Sequence, residues 1–440
     1  MWYMGHWLVV VAAVVVATVA ALPANIPENL QPLIGHQVWE VSSERGEAVL
    51  WNLVTEGHID VLDHSGTTRK FRVAGKDADK VAGTLRTANL THSVIIRDLA
   101  LFLKEEEGPV ERRADISRSC TTTSCPVPSK DAYMTFKEIE YYLKHIGNNN
   151  PRVELRSLGK SHEGRDIWLV HIKPVTSKRV GARIAFSHMR KRAIWIEGGI
   201  HARERISPAV TLLLIDHFLN DFPQDKPFDI YIVPMANPDG YVYTWTNDRL
   251  WRKNRRNNAG SCEGVDLNRN WDAHWGVGAS TQTCSEVYRG PSPFSEPETK
   301  VLSEEMTRLN NQLNFDLVLS IHNYGQVLLY PYGWTTNPAP HTEDMKKKGN
   351  VFLKAAKAHA GTVYTMVNTA GGFYYAAGAT DDWAKEKLGT RYVYTLELRD
   401  KGRYGFTLPA NQILSTATEV WQGLDMMINA IAPEKTARPN

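Results

Sequence analysis

Three residues that could bind a metal ion lie where apolar segments of the sequence end. His201 and Glu204 follow the segment AIWIEGGI, and their spacing lets both side chains reach one ion from a tight turn. His322 ends the apolar segment LVLSIH. A set of His, Glu and His matches a catalytic zinc site whose fourth position is left to water. The alternative is a surface ion pair between His201 and Glu204.

A possible proton carrier, Glu397, lies within a further apolar segment, YVYTLELR. Burial of a carboxylate is costly unless the group has a partner or a chemical role. Beside a metal ion, Glu397 would act as a general base and then pass its proton to the leaving group. A buried salt bridge with Arg399 is the alternative.

These residues need a sheet to bring them together, and the sequence after Asp131 predicts one. The apolar segments IWLVHI, AIWIEGGI, IYIVPMAN, LVLSIHN and YVYTLELR are separated by helical stretches such as SPAVTLLLIDHFLNDF. Apolar strands alternating with helices indicate an α/β domain of about 320 residues whose sheet is covered on both faces. In such a domain we expect ligands to bind where strands end.

The region before this domain has three parts. The run LVVVAAVVVATVAAL from Leu8 ends in small residues and predicts a signal peptide, with a membrane anchor as the alternative. Residues Val38 to Leu103 alternate strand-like and helical pieces, which predicts a small α+β unit. Residues Lys104 to Cys120 form a charge-dense linker.

The basic residues of this linker, Arg112, Arg113 and Arg118, are candidate cleavage sites for a trypsin-like protease. An ordinary solvated linker between domains is the alternative.

Composition and net charge limit the classes of binding partner that we expect. The 440 residues are 42% hydrophobic and 22% charged, and the formal net charge is +3. This is a globular composition, and the charge is too even to indicate binding to nucleic acid or to anionic lipid. A peptide or a small molecule is therefore the expected partner.

The cysteine count, which is four, favours disulfides in a secreted chain. Local pairing would join Cys262 to Cys284 and Cys120 to Cys125, although three connectivities are possible.

Seven ordered motifs resemble those of the secreted zinc carboxypeptidases of the pancreatic A/B type, and the resemblance covers essentially the whole chain. The motifs are HARERISPA, NPDGY, DRLWRKNRR, GVDLNRNW, SIHNYGQ, GATDDW and LELRDKGRYGF. The resemblance implies a mixed, mostly parallel twisted sheet with helices on both faces, one Zn²⁺ per chain, and hydrolysis of the C-terminal peptide bond of peptides and proteins. It also implies a secreted monomer that a trypsin-like protease activates, with a signal peptide at 1–21, an activation propeptide at 22–118 and a catalytic domain at 119–440.

The resemblance also assigns roles to individual residues. Zinc would be bound by His201, Glu204 and His322, and Glu397 would be the general base and acid. Arg252 would polarise the scissile carbonyl and stabilise the oxyanion.

Further residues would bind the substrate. Asn268 and Arg269 would bind its C-terminal carboxylate, and Tyr374 would close over that group as a mobile cap. The subsites further along the peptide would be lined by Arg203, Arg249, Tyr324 and Phe406. Asp266 would orient the first zinc-binding histidine.

These assignments have plainer alternatives. Arg252 and Arg269 could belong to a solvated basic surface, and Tyr374 could simply pack in the core.

Specificity depends on Asp381 in the motif GATDDW. In the family this position lies at the floor of the pocket for the terminal side chain and is Asp in B-type enzymes, which implies a preference for terminal Lys or Arg. The alternative is that Asp381 caps a helix that starts at Asp382. Three other functions stay open: an A-type preference for apolar or aromatic residues, a catalytically silent peptide-binding relative, and a different zinc hydrolase.

Overall fold

The computed structural model describes most of the chain outside its two ends and a few internal segments. The described residues are 26–42, 46–63, 68–107, 128–174, 191–223, 226, 228–260, 262–372 and 374–432. The predicted signal peptide, the three linker arginines, Cys120 and Cys125 lie outside them.

Residues 26–107, here the N-terminal unit, contain a four-stranded antiparallel sheet in the order β2-β3-β1-β4. Its elements are β1 (Gln37–Ser42), α1 (Glu47–Thr55), β2 (Ile59–Asp63), β3 (Thr68–Val73), α2 (Ala78–Thr87), β4 (His92–Ile96) and α3 (Leu99–Glu107). Apolar side chains from the strands and from α1 and α2, including Trp39, Leu53, Phe71 and Val81, form its core. The predicted α+β unit is confirmed.

Helix α3 extends further than the sequence indicated. It ends at Glu107, so Lys104 to Glu107 are helical rather than part of a linker. The apolar residues Leu99 and Leu103 are buried on one face of α3, and this packing stabilises a helix that continues past Leu103.

Residues 128–432, here the main unit, are built on an eight-stranded mixed sheet in the order β11-β10-β12-β9-β7-β8-β6-β5. The strands are β5 (Val153–Lys160), β6 (Asp166–Ile172), β7 (Lys191–Gly198), β8 (Phe228–Val233), β9 (Leu313–His322), β10 (Val327–Tyr330), β11 (Thr365–Asn368) and β12 (Tyr392–Glu397). Neighbours are parallel in the pairs β7/β8, β7/β9, β9/β12 and β10/β11 and antiparallel in the other three. The expected mixed, mostly parallel sheet is confirmed.

Helices cover both faces of this sheet. They are α4 (Phe136–Asn149), α5 (Ile206–Asn220), α6 (Pro238–Thr246), α7 (Pro297–Asn310), α8 (Thr342–Ala360), α9 (Thr369–Gly372), α10 (Thr380–Glu386) and α11 (Ile413–Ile431). One apolar cluster joins the sheet to α4, α5, α8 and α11, and a second joins it to α7 and α10. Helix α5 is apolar on almost all sides, and most of its residues are buried, as expected for a helix of this composition.

The central strands determine where a site can form. Strand β7 has β8 on one side and β9 on the other, and all three are parallel. The chain passes from β7 to β8 on one side and later returns to β9 on the other side, and such a reversal of strand order opens a crevice at the carboxyl ends of the strands. His201 and His322 lie at this end of β7 and β9.

Two further features are a disulfide and the character of the helices. Cys262 and Cys284 form a disulfide, as the local pairing predicted. Among the residues that the structure describes, no helix has both the length and the apolar character needed to cross a membrane.

Candidate active site

The three predicted metal ligands lie together at the carboxyl ends of β7 and β9. One ligand atom from each of His201, Glu204 and His322 lies within 4.8 Å of the others, and all three residues are buried. The two Nδ1 atoms are 3.1 Å apart, and the Glu204 carboxylate is 2.9 Å from His201 Nδ1 and 3.2 Å from His322 Nδ1. The surface ion pair considered for His201 and Glu204 is therefore wrong.

The donor atoms suit zinc. Two imidazole nitrogens and a carboxylate oxygen are the donor types that catalytic zinc sites combine. On His201, the far nitrogen Nε2 is 3.1 Å from Asp266 Oδ1, and on His322 it is 3.0 Å from Ser320 Oγ. Because each outer nitrogen has a hydrogen-bond partner, each Nδ1 is directed at the cluster with its lone pair free for a metal.

Glu397 lies beside this cluster as the last residue of β12. It is directly opposite His322 in the parallel pairing of β12 with β9. Burial raises the pKa of its carboxyl to about 8, and the neighbouring Glu204 adds to the shift. Arg399 instead pairs with Glu419, to which its Nε donates at 2.8 Å, so the proposed salt bridge to Glu397 is wrong.

Arg252 also lies beside this cluster. Its Nη2 donates to Asp266 Oδ2 at 2.9 Å, and its Nη1 is 3.8 Å from Glu204 Oε1. Its side chain is buried rather than part of a solvated basic surface. Asp266 therefore holds Arg252 and His201 in position together.

Arg269 is also buried and presents an unused donor. Its Nε donates to the Gly278 carbonyl at 3.0 Å and its Nη1 to the Asn268 carbonyl at 2.8 Å. Its Nη2 is buried and has no hydrogen-bond partner among the described residues. A buried guanidinium nitrogen without a partner is costly, which indicates that a ligand supplies the acceptor.

One cavity is lined by almost all of the predicted site residues. Besides the ligands, Glu397, Arg252 and Arg269, it is lined by Asn268, Arg203, Tyr324, Tyr374, Asp381 and Phe406. Tyr374 is half-buried, with the Arg269 guanidinium 5.6 Å from the centre of its ring. The rings of Tyr324 and Phe406 meet edge to face, and the Arg203 guanidinium lies 4.2 Å from the ring centre of Phe406.

Arg249 lies behind this cavity. It is buried, and its guanidinium donates to the carbonyls of Arg203 and Phe406, at 3.2 and 2.7 Å. These contacts hold two lining residues in place.

Asp381 is 3% exposed and lies in the first turn of α10, which begins at Thr380. Its Oδ1 accepts the N–H of Asp382 at 2.8 Å and its Oδ2 accepts the Thr395 hydroxyl at 3.1 Å. Burial raises the pKa of its carboxyl against these hydrogen bonds. The expected helix start at Asp382 with Asp381 as its cap is wrong, because the helix begins at Thr380 after Ala379. Asp381 instead lies within the first turn of α10, and it also lines the cavity.

The sequence analysis did not identify which residues of the N-terminal unit contact the cavity. Val61 and Leu62 line the cavity, and Asp60 accepts two hydrogen bonds from Arg203, at 2.5 and 3.0 Å. Nothing in the sequence around Asp60 marks this contact, because it depends on how two separately folded units pack.

The comparisons with known proteins agree with this geometry. A family model described as zinc carboxypeptidase matches residues 139–423. Carboxypeptidase A4 of Mus musculus is 33% identical over 414 residues, which is 90% of this chain and 94% of the mouse protein. Carboxypeptidase B of Astacus astacus is 36% identical over 308 residues, which is 68% of this chain and 97% of that protein.

A crystal structure of carboxypeptidase A from Helicoverpa armigera superposes with a TM-score of 0.78 at 26% identity, covering 91% of this chain and 98% of that one. The family match spans more than half of the chain and includes the metal cluster and Glu397. The chain therefore belongs to the zinc carboxypeptidase family, whose members are zinc-dependent exopeptidases.

Proposed function

We propose that this protein removes C-terminal Lys and Arg from peptides and is made as a secreted zymogen. The observation that carries the specificity is the buried carboxylate of Asp381. The relatives include carboxypeptidases named A and B, so the preference is argued from the pocket itself.

In the proposed mechanism, His201, Glu204 and His322 bind one zinc ion. Bound there, zinc would act as a Lewis acid and make water a stronger nucleophile. A zinc ion bound beside Glu397 would also favour the ionised form of its carboxyl group. The Glu397 carboxylate then accepts the proton of the attacking water and returns it to the departing amine. Arg252 donates hydrogen bonds to the oxygen that becomes negatively charged as the peptide carbonyl is attacked.

The same proposal explains why only the last residue is removed. The free Nη2 of Arg269 and the side chain of Asn268 bind the terminal carboxylate, and Tyr374 closes over it. A peptide without this carboxylate leaves the buried Nη2 of Arg269 without an acceptor. An amidated peptide should therefore be a very poor substrate.

Asp381 then selects the terminal side chain. In the described part of the chain, no Lys or Arg forms an ion pair with Asp381, and burial raises the pKa of its carboxyl. An ammonium or guanidinium group would supply the missing counter-charge and favour the ionised carboxylate. An apolar terminal residue would instead leave the buried carboxylate without a counter-charge.

The direct test of this specificity compares peptides that differ only in their last residue. After trypsin treatment, kcat/KM is measured for peptides ending in Lys, Arg, Phe and Glu, each with a free and an amidated C-terminus. We expect Lys and Arg to be preferred and all amidated peptides to resist. A preference for Phe would instead support the A-type alternative.

Asp381→Asn should remove the basic preference. Asparagine keeps the size of the side chain and its hydrogen bonding to Thr395, but it cannot neutralise a cation. Losing one partner of a buried ion pair costs about 3 kcal/mol, which corresponds to a loss of about 100-fold in kcat/KM for Lys and Arg. The kcat/KM for Phe should stay constant or rise.

Thermal denaturation of Asp381→Asn separates a role of Asp381 in substrate selection from a role that only stabilises α10. If Asp381 serves only α10, the variant should lose about 1 kcal/mol of stability and keep the ranking of the four peptides. An unchanged ranking would therefore contradict the basic specificity.

Latency is proposed from the contacts of the N-terminal unit with the cleft. Asp60 pairs with Arg203, and Arg72 bridges Asp60 and Glu286 at 3.2 and 2.8 Å. Burial raises the pKa of Asp60, but the two guanidinium groups outweigh it and hold the pKa below its usual range. Val61 and Leu62 also line the cavity, so we expect the N-terminal unit to obstruct the binding of a long peptide.

This arrangement defines the proposed processing. Residues 1–21 would be a signal peptide and residues 22–118 an activation propeptide, which leaves a monomeric, extracellular catalytic domain at 119–440. A trypsin-like protease would cut the linker after Arg113 or Arg118. N-terminal sequencing after limited trypsin digestion should then begin at Ala114 or Ser119.

Asp60→Asn should weaken the hold of the propeptide. Removing one partner of a buried, hydrogen-bonded charge pair costs about 2 kcal/mol or more, so the cut propeptide should bind about 30-fold more weakly. The measurement is the concentration of released propeptide that half-inhibits the cleaved enzyme.

Asp79→Asn provides the control for this test, because Asp79 is exposed on α2 of the same unit. It should inhibit as the wild type does. Equal inhibition by the Asp60→Asn and Asp79→Asn propeptides would contradict the role of the ion pair in latency.

A further inference from the structure

We infer that Glu197 and Ser320 form a relay that positions His322 as a metal ligand. Neither residue lines the cavity, and both are buried on the strands that carry the ligands. The inference rests on the proposed role of His322 and adds two positioning residues to it.

The relay is continuous in its hydrogen bonds. His322 Nε2 is 3.0 Å from Ser320 Oγ, and the Ser320 hydroxyl donates to Glu197 Oε1 at 3.1 Å. The Trp195 indole N–H donates to the second carboxylate oxygen of Glu197 at 3.3 Å. Both oxygens of Glu197 are therefore held by donors.

The direction of the relay follows from the chemistry of the imidazole. His322 Nδ1 faces Glu204 and His201, so it must be unprotonated to bind a metal. Nε2 then carries the proton and donates it to Ser320 Oγ, whose own proton goes to Glu197. This order fixes both the tautomer and the orientation of the ring.

The two histidines of the site are thus supported in different ways. His201 Nε2 meets the Asp266 carboxylate directly, at 3.1 Å. The Nε2 of His322 instead reaches a carboxylate, that of Glu197, through the hydroxyl of Ser320. Glu197 lies directly opposite Ser320 in the parallel pairing of β7 with β9, so the sheet itself sets the spacing of this relay.

The same argument that marked Glu397 in the sequence applies to Glu197. Both are carboxylates within an apolar strand, and Glu197 is 0% exposed. Such a residue needs a partner or a role to offset its burial. Glu197 has no ion pair with a described Lys or Arg, and the relay supplies its role.

The test measures zinc affinity of the full chain by competition with a chromogenic chelator, independently of activity. Loss of an outer-sphere partner typically weakens metal binding by about 10- to 100-fold, and we expect this for Ser320→Ala and, near the lower limit, for Glu197→Gln. Ser320→Thr keeps a hydroxyl and should retain most of the affinity. In the double variant, Glu197→Gln should add almost nothing, because the relay is already broken.

A structural role alone gives a different pattern. Ser303→Ala removes another buried hydroxyl, which donates to the Lys300 carbonyl at 2.9 Å in α7, and it should leave zinc affinity unchanged. If Ser320→Ala and Glu197→Gln lower only the melting temperature of the metal-free protein, as Ser303→Ala could, the relay is wrong. Additive losses of affinity in the double variant would also overturn it.

His322→Ala separates this inference from the proposed function. If His322→Ala binds zinc as the wild type does, the ligand assignment fails and the relay fails with it. If His322→Ala loses zinc while Ser320→Ala and Glu197→Gln keep it, only the relay is overturned.

Discussion

Replacing Glu397 by Gln is expected to lower kcat by about 1,000-fold, within the range attributed to general acid and base catalysis, with little change in KM. The amide has the shape of the carboxylate but cannot accept the proton of the attacking water. Substrate binding should persist, because the proposed contacts with the substrate are made by Arg269, Asn268 and Asp381. The measurement is steady-state kinetics on a peptide ending in Lys after trypsin treatment.

Two controls accompany the Glu397→Gln measurement. The zinc content of the variant should stay at one ion per chain, which separates the loss of a base from the loss of the metal. Glu304→Gln changes an exposed carboxylate of α7 and should leave kcat unchanged. A kcat for Glu397→Gln within about tenfold of the wild type would show that another group is the base, since base catalysis contributes at least about 100-fold.

The second large effect is expected for His322→Ala, which should abolish zinc retention and activity together. Structural zinc sites with four ligands have binding free energies of about 10–16 kcal/mol. The loss of one ligand should therefore cost about 3 kcal/mol or more, an affinity loss of at least about 100-fold. Metal analysis after dialysis against a weak chelator provides the measurement.

His359→Ala is the matched control, because His359 is exposed near the end of α8. It should retain zinc and full activity. Circular dichroism should show that His322→Ala keeps the fold, since most of the apolar core does not contact this side chain. Stoichiometric zinc in the His322→Ala variant would contradict the ligand assignment.

The strands that position the site could be predicted because they are apolar on both faces. In β7, β8, β9 and β12 nearly every residue is buried, and each appears in the sequence as a continuous apolar run. Strand β3, TRKFRV, was not predicted, because three of its six residues are basic and interrupt the apolar pattern. Strand β10 has only four residues, which is too short for a periodic pattern.

Residue types alone predicted the chemistry of the site, but not its assembly. His201 and His322 are 121 positions apart, and they meet because β7 and β9 are parallel neighbours. No local pattern encodes that pairing, so the resemblance to a known family had to supply it. Neither the residue types nor the family resemblance predicted the contact of Asp60 with Arg203, because this contact joins the surfaces of two units.

The pairing of Glu397 with His322 on adjacent strands has a consequence for engineering this enzyme. Parallel strands in a buried sheet are held about 4.8 Å apart by their hydrogen-bond ladder, so the base and this ligand keep their separation whatever the surrounding loops do. Tyr374 and Asp381, in contrast, lie outside the strands, in a loop and in a short helix. Substrate preference can therefore be redesigned in those two segments while the reacting centre keeps its dimensions.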